Sequence, residues 1–327
     1  MLRLHAYRYH RPATLAHVLE LLAEHGPAAM LIAGGTDLMP NMKHRLFTPE
    51  HLVGLKRVRQ LQGIEVGNDA IRIGAAETLT TISRDATVRR HLPSLARAAG
   101  LVAGPQLRNM ATIGGNLCLD TRCTYYNQTE FWRTALGYCL KKDGSVCHVT
   151  KVGKKCVAAH SADTPPVLMT LGAAAELASP RGTRTVPVAE FFVADGIHNT
   201  VRAGDEVVTA LRIPLPSAST RAGFEKLRQR GSIDFPLLNA AVAVDLRHDG
   251  VVGAARVVVS ALGSRPRFVA GLDKLAAGER LTPELIDAIA QRAFEQSHPL
   301  ENITVDTEWR RAMVPVLVKR AFAQVLA

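Results

Sequence analysis

The sequence predicts an α+β protein in three blocks, and three observations lead there. Residues 1–57 alternate between helix-like and strand-like patterns. A linker of prolines and small residues, Pro214 to Ser219, sets off a last stretch, 220–327, in which strands come first and helices after. Between them, block 58–216 is interrupted at 119–160 by a segment that, with Cys118 at its edge, holds all five cysteines.

Taken in order, Leu15, Val18, Leu19 and Leu22 share one face of a helix over 14–25, which Thr14 can start and Gly26 stop. Ala29–Ala33 reads as a strand running straight into Gly34-Gly35-Thr36-Asp37. A short helix follows from Leu38, and His51–Leu55 reads as a further strand. In the middle block Ala70–Ala75 alternates like a strand. Leu79–His91 and Leu92–Leu101 read as helices, the second opened by Pro93, and GPQLRNMATIGGN reads as a loop. Inside the cysteine segment Thr129–Tyr138 has helical character. After it come a helix at Pro165–Leu171, a hairpin of Ala174–Ala178 with Thr183–Val188, and a strand at Glu206–Pro214. The last block reads as strands Ala222–Arg230, Ala240–Arg247 and Val251–Leu262, with a turn at His248-Asp249-Gly250. Helices at 267–277, 282–296 and 307–325 close the chain.

At 327 residues, 47% hydrophobic and 21% charged, the chain can bury several cores. No apolar run approaches the roughly 18 residues of a membrane span, and the N-terminus lacks the apolar stretch of a signal peptide. A cytoplasmic protein without a membrane partner is expected. There, clustered cysteines hold metal more often than they form disulfides. The net charge of +11 suits nucleic acid, acidic proteins or anionic ligands, or simply a solvated surface. Arg122, Arg133, Lys141, Lys142, Lys151, Lys154 and Lys155 crowd the cysteine segment. The chain has no G-x-G-x-x-G, no G-x-x-x-x-G-K-[ST], no H-E-x-x-H and no G-x-S-x-G. A Rossmann site, a P-loop, a zincin and a serine hydrolase are therefore unsupported.

Two glycine turns carry the first chemistry: Ala33-Gly34-Gly35-Thr36-Asp37 and Thr112-Ile113-Gly114-Gly115-Asn116. Glycine frees the backbone to take positive φ and lets a phosphate approach N–H groups, and the flanking hydroxyl, carboxylate and amide groups suit a pyrophosphate with its sugar. Two ordinary tight turns would look the same. The cysteines carry the second chemistry. Cys123, Cys139, Cys147 and Cys156 are spaced C-x15-C-x7-C-x8-C. Four thiolates can close a zinc site or hold an iron–sulfur cluster. The close C-x2-C pairs of zinc ribbons are absent, and reduced structural cysteines are the third reading.

LIAGGTDLMP and ATIGGNL, in this order, resemble the FAD-binding subunits of the molybdenum hydroxylases. So do GAAET at 74–78, Asp163-Thr164-Pro165-Pro166, Leu211-Arg212-Ile213-Pro214 and Phe224-Glu225-Lys226. That resemblance implies a vanillyl-alcohol-oxidase (PCMH) type FAD fold of two subdomains, 1–57 and 58–216. A C-terminal α+β domain of the CO dehydrogenase flavoprotein type, 220–327, would follow. It assigns the FAD pyrophosphate to Leu31, Ile32, Ala33, Gly34, Gly35, Thr36 and Asp37, with Thr112, Gly115 and Asn116 as the second half of the cradle. Asp163 would bond the flavin side, with Val208 and Lys226 near the isoalloxazine. Val102 departs from an aromatic pattern seen in xanthine dehydrogenases.

Common flavin subunits lack the 119–160 segment. Here it resembles the insertion of 4-hydroxybenzoyl-CoA reductase β subunits, through LCLDTRC, Tyr125-Tyr126-Asn127-Gln128 and Lys141-Lys142-Asp143-Gly144. The resemblance implies a [4Fe–4S] cluster on Cys123, Cys139, Cys147 and Cys156. Cys118 is left out, because small residues stand there in relatives without an insertion. His148 and His160 are read as solvated. The implied function is electron transfer, from an acidic ferredoxin through cluster and FAD to a [2Fe–2S] small subunit and a molybdopterin-binding large subunit. Those subunits would form a dimer of heterotrimers that removes the phenolic hydroxyl reductively, a step of aromatic compound degradation; no catalytic residue lies on this chain. An oxidative hydroxylase subunit with an accessory cluster is the first alternative. A zinc-stabilised basic nucleic-acid-binding module is the second; the leading reading has no nucleic-acid partner. The dock for the donor is expected at Lys141, Lys142, Lys151, Lys154 and Lys155.

Overall fold

Three sheets organise the chain in a computed structural model that describes residues 2–150 and 153–326. The first is parallel, with β1 (Arg8–His10), β2 (Ala29–Ile32) and β3 (His51–Gly54) in the order β1-β3-β2. The helix Leu15–His25 covers it. Thr14 Oγ1 accepts the His17 N–H and Gly26 ends the helix at φ 48°, as the cap residues predict. Val18, Leu21 and Leu22 pack on Val53, Leu55, Val58 and Leu61. Strand β1 escaped the sequence reading, being three residues long with two of them exposed.

The second sheet is antiparallel: β4 (Ile64–Val66), β5 (Ala70–Gly74), β6 (Ala174–Ser179), β7 (Gly182–Pro187) and β8 (Val207–Pro214), in the order β4-β5-β8-β6-β7. The helix expected over 79–91 is two helices, Leu79–Arg84 and Ala86–His91. Asp85 divides them: its backbone is extended and its carboxylate caps the second helix at Val88 N, 2.9 Å away. The stretch 104–116, read as a loop, holds two helical turns, Pro105–Arg108 and Ile113–Leu117.

The third sheet comprises β9 (Thr220–Leu227), β10 (Leu238–Leu246), β11 (Val252–Ser260) and β12 (Arg267–Phe268), in the order β12-β11-β10-β9. A helix was expected from 267. Instead Arg267 and Phe268 pair with Val259 and Val258, and the helix is only Leu272–Ala276. Alternate residues of β10 serve two cores. Leu238, Ala240, Val242 and Val244 meet the helices Pro283–Glu295 and Thr307–Leu326. Ala241, with Phe224 and Val258, joins the core built around the second sheet. The third sheet is thus buried on both faces, which fixes it to the middle block.

The cysteine segment is tied down at both ends. Arg122 and Ala159 exchange backbone hydrogen bonds of 2.8 and 2.6 Å at its neck. Thr124 N donates to Asn302 O, and Asn302 Nδ2 to Val157 O, so the C-terminal domain holds one side. On the other side, Leu46 and Phe47 of the first block pack among Cys123, Tyr126, Cys139 and Cys156. Arg133, wholly buried, donates to the carbonyls of His44, Arg45 and Gln128.

Candidate functional site: a glycine cradle beside a cysteine cavity

Residues 31–37, the end of β2 and the turn after it, are seven consecutive half-buried positions. Gly35 takes φ 71°, a conformation open to glycine and strained for a branched residue. Gly34 matters for closeness instead: a Cβ there would overlap the Met110 carbonyl. The missing side chain lets the first glycine turn touch the chain that leads into the second. Among the described residues, the N–H groups of Gly34, Gly35 and Thr36 donate to no protein acceptor. Such free N–H groups on a half-open turn suit phosphate oxygens.

The second glycine turn is the first turn of the helix Ile113–Leu117, and neither Gly114 nor Gly115 has positive φ. Thr112 Oγ1 caps it by accepting from Gly115 N at 3.1 Å. A Cβ on Gly114 would meet Ala75 at 2.7 Å, so that glycine is there for packing. Asn116 is buried, and its Oδ1 accepts both the N–H and the hydroxyl of Thr164, at 3.1 and 2.7 Å. It thereby fixes the start of the helix Thr164–Thr170 next to Asp163.

Asp163 and Lys226 meet as a buried ion pair, Nζ to Oδ2 2.6 Å. Asn239 Nδ2 donates to the other carboxylate oxygen at 3.0 Å, and Lys226 also donates to Leu101 O. Burial pushes the Asp163 carboxyl up, against the pull of Lys226. Val208 lies in β8 within the central core. Asp37 finds a partner the sequence did not disclose: Arg122, from the cysteine segment, forms an ion pair with its carboxylate and donates to Asn41 Oδ1 at 3.1 Å. Arg122 also lies 4.6 Å from the Phe235 ring centroid. Burial pulls its guanidinium down to about 10, still cationic at neutral pH.

One residue beyond Arg122 begins the cysteine cavity. Cys123, Cys139, Cys147 and Cys156 all line it, with Tyr125, Tyr126, Lys141 and His148. All are free thiols, and Cys118 packs against the central core instead. Among the described residues, no three of these sulfurs lie within 4.8 Å of one another. Four thiolates around one zinc, at Zn–S of about 2.3 Å, sit about 3.8 Å apart. Burial pushes the Cys123 thiol up to about 11, and the neighbouring cysteines add to the rise. Burial raises Cys156 too. At Cys147 burial acts in the same direction but is outweighed by hydrogen bonds from Thr150 and nearby backbone, and the thiol falls below its usual value. Ionised together, these thiols could hold a cation. Gly196 packs against Cys156; a Cβ on it would stand 2.8 Å from Cys156 Sγ.

Two expectations are corrected here. Lys141 is not a surface lysine: its side chain is 5% exposed, and it bonds Asp120 Oδ1 and Thr121 Oγ1, each at 2.6 Å, below the Tyr126 ring. Nor is His160 solvated. It is fully buried, edge-on to Phe192, with both ring nitrogens unpartnered. His148 is half-buried and its Nε2 lies 2.6 Å from Tyr138 O. Lys154 and Lys155 are exposed, Lys142 half-buried beside Asp143, and Lys151 lies outside the described residues.

Residues 5–216 match the FAD binding domain in molybdopterin dehydrogenase, and 222–325 match the CO dehydrogenase flavoprotein C-terminal domain. Fold and cradle together define a flavoprotein with FAD as its cofactor. The chain belongs to the FAD-binding subunits of the molybdenum hydroxylases, and the fold expected from the resemblance is the one observed. It is 32% identical to the aldehyde oxidoreductase FAD-binding subunit PaoB of Escherichia coli K12, covering 98% of each chain. It is 29% identical to the carbon monoxide dehydrogenase medium chain of Hydrogenophaga pseudoflava, over 96% of this chain and 95% of that one. A solved structure of carbon monoxide dehydrogenase from the same organism superposes with a TM-score of 0.81 at 27% identity, covering 99% and 98%. Among the described residues no helix is long and apolar enough to cross a membrane.

Proposed function

We propose that this chain is the electron-transfer subunit of a molybdopterin enzyme of the 4-hydroxybenzoyl-CoA reductase type. It would carry FAD in the glycine cradle and a [4Fe–4S] cluster on Cys123, Cys139, Cys147 and Cys156. The observation that carries the reading is the ring of four free cysteines around one cavity. A cluster can take one thiolate per iron from four such positions. Bound there, the two cofactors would supply one- and two-electron transfer.

The chain's own residues supply the rest. Gly34, Gly35 and Thr36 offer N–H donors to the pyrophosphate. Asn116 and Asp163 brace the wall between the middle block and the C-terminal domain. Arg122 links the two sites, being bonded to Asp37 of the cradle and adjacent in sequence to Cys123. Named relatives are medium chains and FAD-binding subunits of dehydrogenases, which supports partner subunits bearing molybdopterin and [2Fe–2S] centres; a dimer of heterotrimers is the proposed assembly. An acidic ferredoxin is the proposed donor. With Lys141 buried, the dock rests on Lys142, Lys154 and Lys155, together with Lys151, which lies outside the described residues.

Iron and acid-labile sulfide analysis of the isolated subunit tests the cluster. Four of each per chain beside one FAD are expected; zinc, or flavin alone, would overturn it. Replacing Lys142, Lys154 and Lys155 with Gln should slow reduction by ferredoxin at low salt and flatten its salt dependence, with reduction by an uncharged dye unchanged. The dehydrogenase names favour a second reading, an oxidative subunit with an accessory cluster. Formation of benzoyl-CoA from 4-hydroxybenzoyl-CoA by the reduced whole complex separates the two.

A further inference from the structure

Three histidines meet away from both cofactor sites. His10 ends β1, His51 opens β3, and His25 is the last residue of the helix Leu15–His25. The fold brings them together in two steps. Parallel pairing sets Arg8 and Ala29 on either side of His51, with His10 two residues further along β1. Gly26, at φ 48°, then turns the chain from the helix end toward β2, leaving the His25 ring stacked on His51.

One ring nitrogen from each histidine can be chosen so that all three lie within 4.8 Å of one another. His10 Nε2 and His51 Nδ1 are 2.9 Å apart, and the rings of His25 and His51 stack at 3.8 Å and 11°. All three side chains are half-buried. Among the described residues His25 makes no hydrogen bond through its ring; its nearest carboxylate oxygen, from exposed Glu24, is 3.8 Å away. Three imidazoles thus converge with a single hydrogen bond among them and one carboxylate, Glu24, 3.8 Å from His25. Protonated, they would repel; neutral, they hold spare lone pairs within reach of one ion.

We propose that His10, His25 and His51 bind one divalent transition-metal ion of the zinc class. Imidazole nitrogen suits zinc, copper, nickel and iron and discriminates against magnesium and calcium. Zinc takes nitrogen at about 2.0–2.1 Å, which sets tetrahedral nitrogens about 3.4 Å apart. Closing from within 4.8 Å requires His25 to rotate out of its stack, since stacked rings point their lone pairs in parallel. Glu24, free to swing, or water completes the fourth position. The ion staples the helix end to the edge and central strands of the first sheet, and uses none of the cysteines.

The test uses the untagged subunit with its flavin and its cysteine site as isolated. Equilibrium dialysis against Zn2+ should add about one zinc per chain. X-ray absorption at the zinc edge should show a nitrogen shell near 2.0–2.1 Å and no added sulfur shell near 2.3 Å. His51→Ala should weaken that zinc at least tenfold and abolish the zinc-dependent rise in Tm, while His17→Ala, an exposed histidine of the same helix, should change neither. Should His51→Ala fail to fold, His25→Gln at the helix end makes the same test. No uptake of zinc, a sulfur shell, or uptake unchanged in the histidine variants overturns the proposal.

Discussion

Lys226 Nζ lies 2.6 Å from Asp163 Oδ2, with the two side chains 1% and 3% exposed, and the pair joins the C-terminal domain to the middle block. Removing one partner leaves the other charge buried without compensation, which typically costs about 3–5 kcal/mol. Lys226→Met should therefore lower the urea midpoint sharply. Asp163→Asn in the same chain keeps the Asn239 contact and removes the orphaned charge, so the double variant should be more stable than Lys226→Met alone. A double variant less stable than the single would show that the pair is not coupled as its geometry indicates.

Gly35 is the cradle position least able to change. Its φ of 71° disfavours any side chain, and a Cβ would press on Ile32 and Met39 at 3.2 Å. Gly35→Val should empty the flavin site while leaving a folded chain, read as loss of the yellow colour with little change in circular dichroism. The cradle holds no cysteine or histidine from Leu31 to Asp37, so acid precipitation of the wild type should release all the flavin to the supernatant. Flavin retained in the pellet would mean a covalent link.

The cysteines divide four and one. Cys123→Ala, Cys139→Ala, Cys147→Ala and Cys156→Ala each remove a wall of the cavity and should lose iron or leave a three-iron form. Cys118 lies outside the cavity, packed against the central core and beside Arg202, so Cys118→Ala should leave the iron content unchanged. Equal loss from Cys118→Ala would place the cluster elsewhere.

The sequence carried what is local, and lost what depends on distant partners. Thr14 and Gly26 marked their helix because caps act within four residues, whereas Asp85 split another because the same capping chemistry was hidden inside an apolar pattern. Strand β1 was invisible because its support comes from β3, not from its own side chains. Lys141 looked like part of a charged surface. Only the fold shows Asp120, Thr121 and Tyr126 closing over it. Arg122 was counted among the loop charges; its partner Asp37 stands 85 residues earlier, beyond any spacing rule. The two glycine turns read alike, yet one needs positive φ at Gly35 and the other needs a tight fit at Gly114.

His160 gives the last prediction, in pH. Its backbone N–H anchors the end of the cysteine segment to Gly263 O at 2.8 Å, and its ring is buried with neither nitrogen bonded. Burial holds its pKa down to about 3, against 6.5 in an unfolded chain. The unfolded state therefore gains a proton first as pH falls. The stability due to neutral His160 is complete above about pH 6.5 and is lost progressively down to about pH 3. Between pH 7 and 5 that loss amounts to about 2 kcal/mol. His160→Leu removes the titrating ring and two unpartnered nitrogens while keeping an apolar contact for Phe192. Urea unfolding at pH 7 and at pH 5 should show the wild type losing stability by that amount and the variant losing less. Parallel losses in the two proteins would mean that His160 is protonated in the folded state and that another group sets the acid limit.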